Sequence, residues 1–289
     1  MNGWIVLDKP SGLFSKKAAL RVAKIFGADK NGHIGTLDPM ASGVLPIALG
    51  SATKMIPFLE EVCDQTKEYL FSLSFGFETN TLDVTGTETA RTNVVPNEQT
   101  VLSVLPQFVG EISQIPPLFS AVHIAGHRAY ELARNGQIVD MPPRKVKIYS
   151  LDLIKIDGGV WHFRMRCSPG TYVRSVARDI AAKCGTVATV SMIRRTQSSG
   201  FTLKNAVTLD FLENLVNNAV DVGEYLASVD SGLGGIPVLN LDEKAVVFYK
   251  NGGFINTGGA DGYYRVYSGN TFVGIGNVID GVLHPKRTI

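Results

Sequence analysis

An α+β fold is what this sequence predicts, and two local patterns and one global one predict it. Tyr69, Phe71, Leu73, Phe75 and Phe77 alternate with smaller residues, the period of a half-buried strand. Tyr172 to Cys184 carries apolar residues at helical spacing and stops at Gly185, the residue type that ends helices in the left-handed conformation. Strand-like and helix-like segments mix along the chain without regular alternation, and 45% apolar against 19% charged residues suits an ordinary packed core. With 289 residues, one large domain or one with a small appendage is expected.

Taken in order, Trp4 to Leu7 reads as a short strand, followed by a Lys9-Pro10-Ser11-Gly12 turn. Ser15 is placed to N-cap a helix whose apolar side carries Leu20, Val22, Ala23 and Phe26. A Gly-, Asp- and Asn-rich loop is expected from Gly27 to about Gly43, then a buried strand over Val44 to Leu49 and a helix around Ala52 to Val62. After the alternating strand come a helix near Glu98 to Phe108, a break at Pro116-Pro117 and a short helix over Arg128 to Arg134. Strands follow near Val146 to Ile156 and Val160 to Cys167, then the Tyr172 helix, in which Thr171 and the preceding glycine turn should form the cap. A strand over Val187 to Arg195 and a helix over Leu209 to Val216 complete the large unit, set at 1–229. Residues 230–236 read as a linker, and 237–289 as a small module of short strands and glycine turns.

Several chemistries are disfavoured. The sequence has neither the glycine fingerprint of a dinucleotide fold nor a P-loop, its five histidines do not cluster at metal spacing, and its three cysteines show no paired spacing. The opening lacks the layout of a secretory signal and no apolar run approaches a membrane span, so a cytoplasmic protein with no membrane contact is expected. Net charge is only +2, yet its distribution is uneven: His123 to Arg195 holds 13 basic and 5 acidic residues, while the flanks are net acidic. A face that meets a polyanion leaves this pattern, although solvated surface charges could also produce it. The most protrusive part of this block is an insertion near 123–147, polar, basic and bounded by Pro142 and Pro143.

One carboxylate stands out. Asp38 lies among apolar residues in His33-Ile34-Gly35-Thr36-Leu37-Asp38-Pro39, and the following proline restricts it to an extended backbone. Such fixation suits a catalytic group, and it equally suits a turn in which the Asp bonds its own backbone. A buried ionised carboxylate needs a counter-charge, which would lower its pKa. Arg174 is the candidate, because an arginine in the first turn of a helix opposes the helix dipole and so implies a specific partner.

Read together, these stretches resemble the bacterial tRNA pseudouridine-55 synthases. The resemblance is carried by His33-Ile-Gly-Thr-Leu-Asp38-Pro with Ala41 and Gly43-Val-Leu, Lys67-Glu-Tyr69, Phe75-Gly-Phe-Glu-Thr-Asn-Thr-Leu-Asp83, Ile115-Pro-Pro-Leu-Phe-Ser-Ala121, Gly170-Thr-Tyr172-Val-Arg174 and Arg194-Arg195. The Asp8-Lys9-Pro10-Ser11-Gly12 opening also fits, and the order holds along the whole large unit. The tail looks like a shortened PUA module.

The resemblance implies a pseudouridine synthase fold: a mixed, largely antiparallel sheet flanked by helices, with a PUA-like C-terminal module. It implies an enzyme that isomerises a uridine in the T-loop of tRNA, without metal or organic cofactor. Asp38 matches the essential aspartate and Arg174 its ion-pair partner. Tyr69 matches the aromatic that packs on the base, with possible acid or base work; Tyr172 and Ile193 match pocket positions, and His33 matches a residue touching RNA where the base leaves the stack. Lys9 and Pro10 match a turn of structural role. Phosphate contacts are expected from Arg128, Arg134, Arg144, Lys145, Lys147, Arg194 and Arg195. Phe14, Asn80 and His123 depart from the residues usual at those places. A monomer is expected, since one folded RNA loop does not demand symmetry. A synthase for another RNA uridine and a non-catalytic RNA-binding protein are the alternatives.

Overall fold

The computed structural model describes residues 1–289 except 121, 125, 126 and 135–139, and except the side chains of His123, Arg128, Tyr130 and Arg134. The chain opens with strand β1 (Gly3–Lys9), helix α1 (Ser15–Ile25), β2 (Asn31–His33), β3 (Ser42–Leu49) and a 3-10 turn running into α2 (Ile56–Val62). Next come β4 (Lys67–Phe75), the ribbon β5 (Phe77–Thr79) and β6 (Glu88–Arg91), α3 (Glu98–Val104) and β7 (Gly110–Gln114). The basic insertion forms a second ribbon, β8 (His123–Ile124) and β9 (His127–Arg128), with α4 (Ala129–Arg134), before β10 (Arg144–Asp157) and β11 (Val160–Cys167). Helix α5 (Val173–Lys183), β12 (Ala188–Ser198), β13 (Phe201–Thr202), β14 (Val207–Thr208) and α6 (Leu209–Asn217) follow. The last part is β15 (Val238–Asn240), α7 (Glu243–Lys250), β16 (Ile255–Asn256), β17 (Gly262–Ser268), β18 (Thr271–Ile279) and β19 (Val282–Thr288).

The larger sheet runs β14-β1-β3-β12-β4-β11-β10-β7, with β2 and β13 attached to β3 and β12. It is antiparallel except where β1 meets β14 and β12 meets β3. Strand β4 sits near its centre because its alternating face is fully apolar: Phe71 stacks on Phe163 at 5.2 Å and Phe75 meets Trp161 edge-on at 5.3 Å. Burying each such aromatic contributes about 2 to 3 kcal/mol. Helices α1, α3, α5 and α6 cover that face through Val22, Val101, Val176 and Leu212. The opposite face of β1 and β3 packs Trp4, Val44 and Ala48 against Met55, Leu59, Leu233 and Ile236.

The smaller sheet, β15-β17-β18-β19-β16, has its own core around Tyr249, Val266 and Val278. The segment joining the sheets is packed: Leu233 and Ile236 are buried, and Asp230 pairs with Arg265 and accepts a hydrogen bond from Tyr267. No helix among the described residues is long and apolar enough to cross a membrane.

Several local expectations need correction. Ser15 does not cap α1; Phe14 holds the cap position, and the Ser15 hydroxyl instead bonds both the N–H and the carbonyl of Leu37, each at 2.9 Å. The loop expected over 27–43 contains β2, whose glycine and polar residues concealed an edge pairing with β3. The alternating strand ends at Phe75, because Gly76 at φ +100° turns Phe77 into the β5–β6 ribbon. The segments expected as single helices from Ala52 and Glu98 are each divided between 3-10 and α geometry. Thr171 likewise does not cap α5: its hydroxyl donates to Ser168 O at 3.0 Å, and Tyr172 takes the cap position.

Candidate active site

The loop carrying Asp38 is held from below by the turn after β1. Lys9 is fully buried, and its ammonium donates to Pro10 O, Leu13 O and Pro39 O at 2.9, 2.7 and 3.3 Å. Gly12 N also donates to Pro39 O at 2.8 Å, and Ser11 bonds Met40 O at 2.8 Å. With the two Ser15 bonds to Leu37, the backbone on both sides of Asp38 is tied down. Burial pushes the Lys9 ammonium down to about 8, with Asp38 acting in the opposite direction. The Lys-Pro-Ser-Gly opening is therefore a cradle for the Asp38 loop.

Helix α5 brings Arg174 to the same place from more than a hundred residues away. Its guanidinium is 3% exposed and meets Asp38 Oδ2 at 2.7 Å. It also faces Asp83 Oδ2 at 3.5 Å and donates to Thr81 O at 2.8 Å and Phe119 O at 3.0 Å. Arg174 thus serves two carboxylates, Asp38 and Asp83. Asp83 is 4% exposed and was not singled out as a site residue from sequence. Its Oδ1 accepts from the Thr81 hydroxyl at 2.9 Å, Thr85 N at 3.0 Å and the Thr85 hydroxyl at 2.5 Å. An acid flanked by threonines two residues either side, ahead of a glycine, was the available signal.

The expected lowering of the Asp38 pKa is not what the site produces. Burial pushes it above the ordinary carboxylate value; Arg174 pulls it down, and Asp83 pushes it up again. One guanidinium divided between two carboxylates cannot offset the desolvation of the more reactive one.

Asp38 opens into a cavity of about 200 Å³, lined also by Thr36, Lys67, Tyr69, Tyr172, Arg174 and Ile193. Tyr69 and Ile193 are 7% and 4% exposed and present flat and branched apolar surfaces to it. Burial pushes the Tyr69 hydroxyl up to about 12, with Arg195 pulling the other way, so at neutral pH it is held protonated. Tyr172 is held by a reciprocal pair: its N–H donates to Gln114 Oε1 at 2.8 Å and its carbonyl accepts from Gln114 Nε2 at 3.1 Å. His33 lies on β2 outside the cavity lining and reaches it through Thr36, 3.2 Å from its Nε2. Burial lowers its pKa. The room suits one pyrimidine ring.

The expected phosphate contacts separate into groups. Arg144, Lys145 and Lys147 are exposed at the start of β10; Lys145 pairs with Glu111 at 3.2 Å and Lys147 lies over the Tyr149 ring. The side chains of Arg128, Arg134 and His123 lie outside the described residues. Arg194 stays about a third exposed, and Arg195 needs correction. Arg194 makes a two-pronged pair with Asp8 at 2.7 and 3.0 Å. Arg195 is fully buried, donates from Nε to Val44 O at 2.8 Å, and cannot reach a phosphate from there. Adjacent residues of a strand point to opposite faces, and the inward one is Arg195. Gly43 allows this: at φ +100°, a Cβ there would stand 2.1 Å from Arg195 O. Among the departures, Phe14 is exposed beside Lys17, and Asn80 accepts from Thr87 N at 3.0 Å, so neither enters the Asp38 and Arg174 pair.

Residues 23–173 match the N-terminal domain of the TruB family of pseudouridylate synthases. Residues 174–233 match a tRNA pseudouridylate synthase B C-terminal domain, and 237–289 a pseudouridine synthase II TruB C-terminal region. The tRNA pseudouridine synthase B of Caulobacter vibrioides is 44% identical over 84% of this chain and 78% of its own length. That of Chelativorans sp. is 39% identical over 99% and 95%. A solved structure of an H/ACA RNP bound to a substrate RNA containing 2'-deoxyuridine superposes with a TM-score of 0.72 at 23% identity, covering 99% of this chain and 84% of that one, which shows a shared fold. The chain belongs to the TruB family of pseudouridylate synthases.

Proposed function

We propose that this enzyme converts uridine to pseudouridine in the T-loop of tRNA, at position 55. The observation that carries the reading is the Asp38 carboxylate, 2.7 Å from a buried guanidinium, opening into a cavity sized for one pyrimidine beside Tyr69. Making pseudouridine means breaking the bond from C1′ to N1, turning the base, joining C1′ to C5 and removing the C5 proton. A positioned, ionised carboxylate is the group for this, as nucleophile or base at the sugar–base junction. Asp38 has that role, Arg174 keeps it ionised and aimed, and Tyr69 supplies a stacking face. Tyr172 and Ile193 wall the base, and His33 meets the RNA at the point of extrusion.

The target uridine lies inside a folded loop and has to leave its stack, at a cost of a few kcal/mol. Arg144, Lys145 and Lys147 offset that cost through phosphate contacts, with Arg128 and Arg134 of the same basic block. Residues 1–229 form the catalytic domain, 230–236 its joint, and 237–289 a PUA-like RNA-binding module. The enzyme acts as a monomer in the cytoplasm on the T-arm alone, with no metal or organic cofactor.

The test is incubation of an unmodified tRNA transcript with the purified protein, followed by mapping of isomerised positions. Pseudouridine at position 55 alone is the expected product. Product at another uridine reassigns the substrate, and no product in any RNA rejects the enzyme.

A further inference from the structure

We propose that Lys67, backed by Arg195, is the group that stabilises negative charge on the uracil ring while the base is detached from its sugar; this rests on the isomerase reading above. Lys67 opens β4 two residues before Tyr69, so both side chains leave the same face of the strand. Both line the cavity that Asp38 enters. A second cation lies beside Lys67. A Cβ built on Gly35, which sits at φ +65°, would stand 3.3 Å from the Lys67 ammonium and 2.9 Å from Arg195 Nη1, so the two cations converge beneath that glycine.

Neither cation forms an ion pair among the described residues. Arg195 is fully buried; neither terminal nitrogen has a well-aligned hydrogen bond, although the Tyr69 hydroxyl lies close enough to act on the guanidinium as a hydrogen-bonding neighbour. The charged and titratable groups facing the pair are Cys167 from β11, Glu60 from α2, His33 from β2, Tyr69 from β4 and Lys9 from β1. Among the described residues no carboxylate forms an ion pair with either. Two converging cations without an anion are costly in a protein interior, and the arrangement is one that a bound negative charge would relieve.

The reaction makes such a charge. When the C1′–N1 bond breaks, its electron pair stays on the base, and the resulting uracil anion spreads charge over N1, O2 and O4. Asp38 has the wrong sign to help. Asp38 is paired with Arg174 at 2.7 Å, whereas Lys67 sits beside Arg195, so the cavity they share carries a carboxylate and a separate pair of cations. The sugar end of the nucleotide then faces Asp38, and the ring faces Lys67. After C5 joins C1′, the C5 proton leaves to the Asp38 carboxylate and N1 takes one up from water, while Lys67 keeps its own proton throughout. Fixed charges of this kind, placed where charge develops, are among the larger contributors to catalysis.

The test compares wild type, Lys67→Met and Lys67→Arg on an unmodified tRNA transcript, by single-turnover pseudouridine formation, filter-binding affinity and thermal melting. Lys67→Met is expected to lower the single-turnover rate by about 100-fold at saturating enzyme with tRNA affinity within about twofold. Lys67→Arg should recover part of the rate. Burial first, then Arg195, pushes the Lys67 ammonium down to about 8, and Lys9 under the Asp38 loop stands at the same value, so the wild-type rate should fall above that pH and Lys67→Arg should keep only the part of the fall that Lys9 supplies. Lost tRNA affinity with an unchanged rate at saturation would make Lys67 a phosphate contact and overturn the proposal. An unchanged Lys67→Met would overturn it too. If wild type forms no pseudouridine, the isomerase reading is what fails.

Discussion

Two carboxylates share one guanidinium, and their surroundings differ. Asp83 sits in a tight turn, its oxygens taken up by two threonine hydroxyls, one backbone N–H and the edge of Arg174. Asp38 keeps 37% of its side-chain surface open to the cavity, has Arg174 as its close partner, and is held in place through its backbone neighbours. Burial raises the Asp38 pKa. The difference separates an acid that anchors from one that reacts: Asp83 spends its lone pairs inside the protein, and Asp38 has lone pairs left for a substrate.

Substitutions at the two acids and their shared guanidinium test that separation in decreasing order of effect. Asp38→Asn should lower pseudouridine formation by about a thousandfold or more, read as tritium release from C5-labelled uridine, with RNA affinity largely kept. Because the ionised side chain is desolvated, the same change should leave the melting temperature no lower than wild type. Arg174→Lys should cost about a hundredfold in rate, since a point charge replaces a fork that serves two acids and two carbonyls. It should also move the acid limb of the rate profile upward. Activity needs ionised Asp38 and is lost as pH falls through its folded pKa, already above the ordinary value; a weaker counter-charge raises that pKa further.

Asp83→Asn should act mainly on stability, by about 2 to 3 kcal/mol in urea unfolding, because Thr81, Thr85 and Arg174 lose a charged acceptor. A rate loss as large as that of Asp38→Asn would break the division between the two acids. The smallest effect is expected from replacing Arg144, Lys145 and Lys147 by Ala together. All are exposed, and the change should weaken tRNA binding uniformly and reduce the salt slope by about 2 to 3.

Much of this site was legible before any coordinates. Asp38 was visible because a lone acid among apolar residues ahead of a proline is unusual, and Arg174 because it opposes its helix dipole. The β4 face was visible in its period. Other features depend on distant partners. Nothing local to Ser15 reveals that its hydroxyl serves Leu37 rather than its own helix. Lys9 is a buried cation satisfied by three carbonyls, an arrangement that only the folded turn creates. The burial of Arg195 is legible in the sequence as well, since alternation along a central strand requires one of two adjacent arginines to point inward.

The most direct measurement is a crystal structure of the Asp38→Asn enzyme bound to a tRNA T-arm stem-loop. The target uridine should be extruded into the cavity with its ring against Tyr69 and its C1′ about 3 to 3.5 Å from the side chain at position 38. A uridine still stacked in the RNA loop, or one bound with its sugar turned away from the Arg174 guanidinium, would contradict the account.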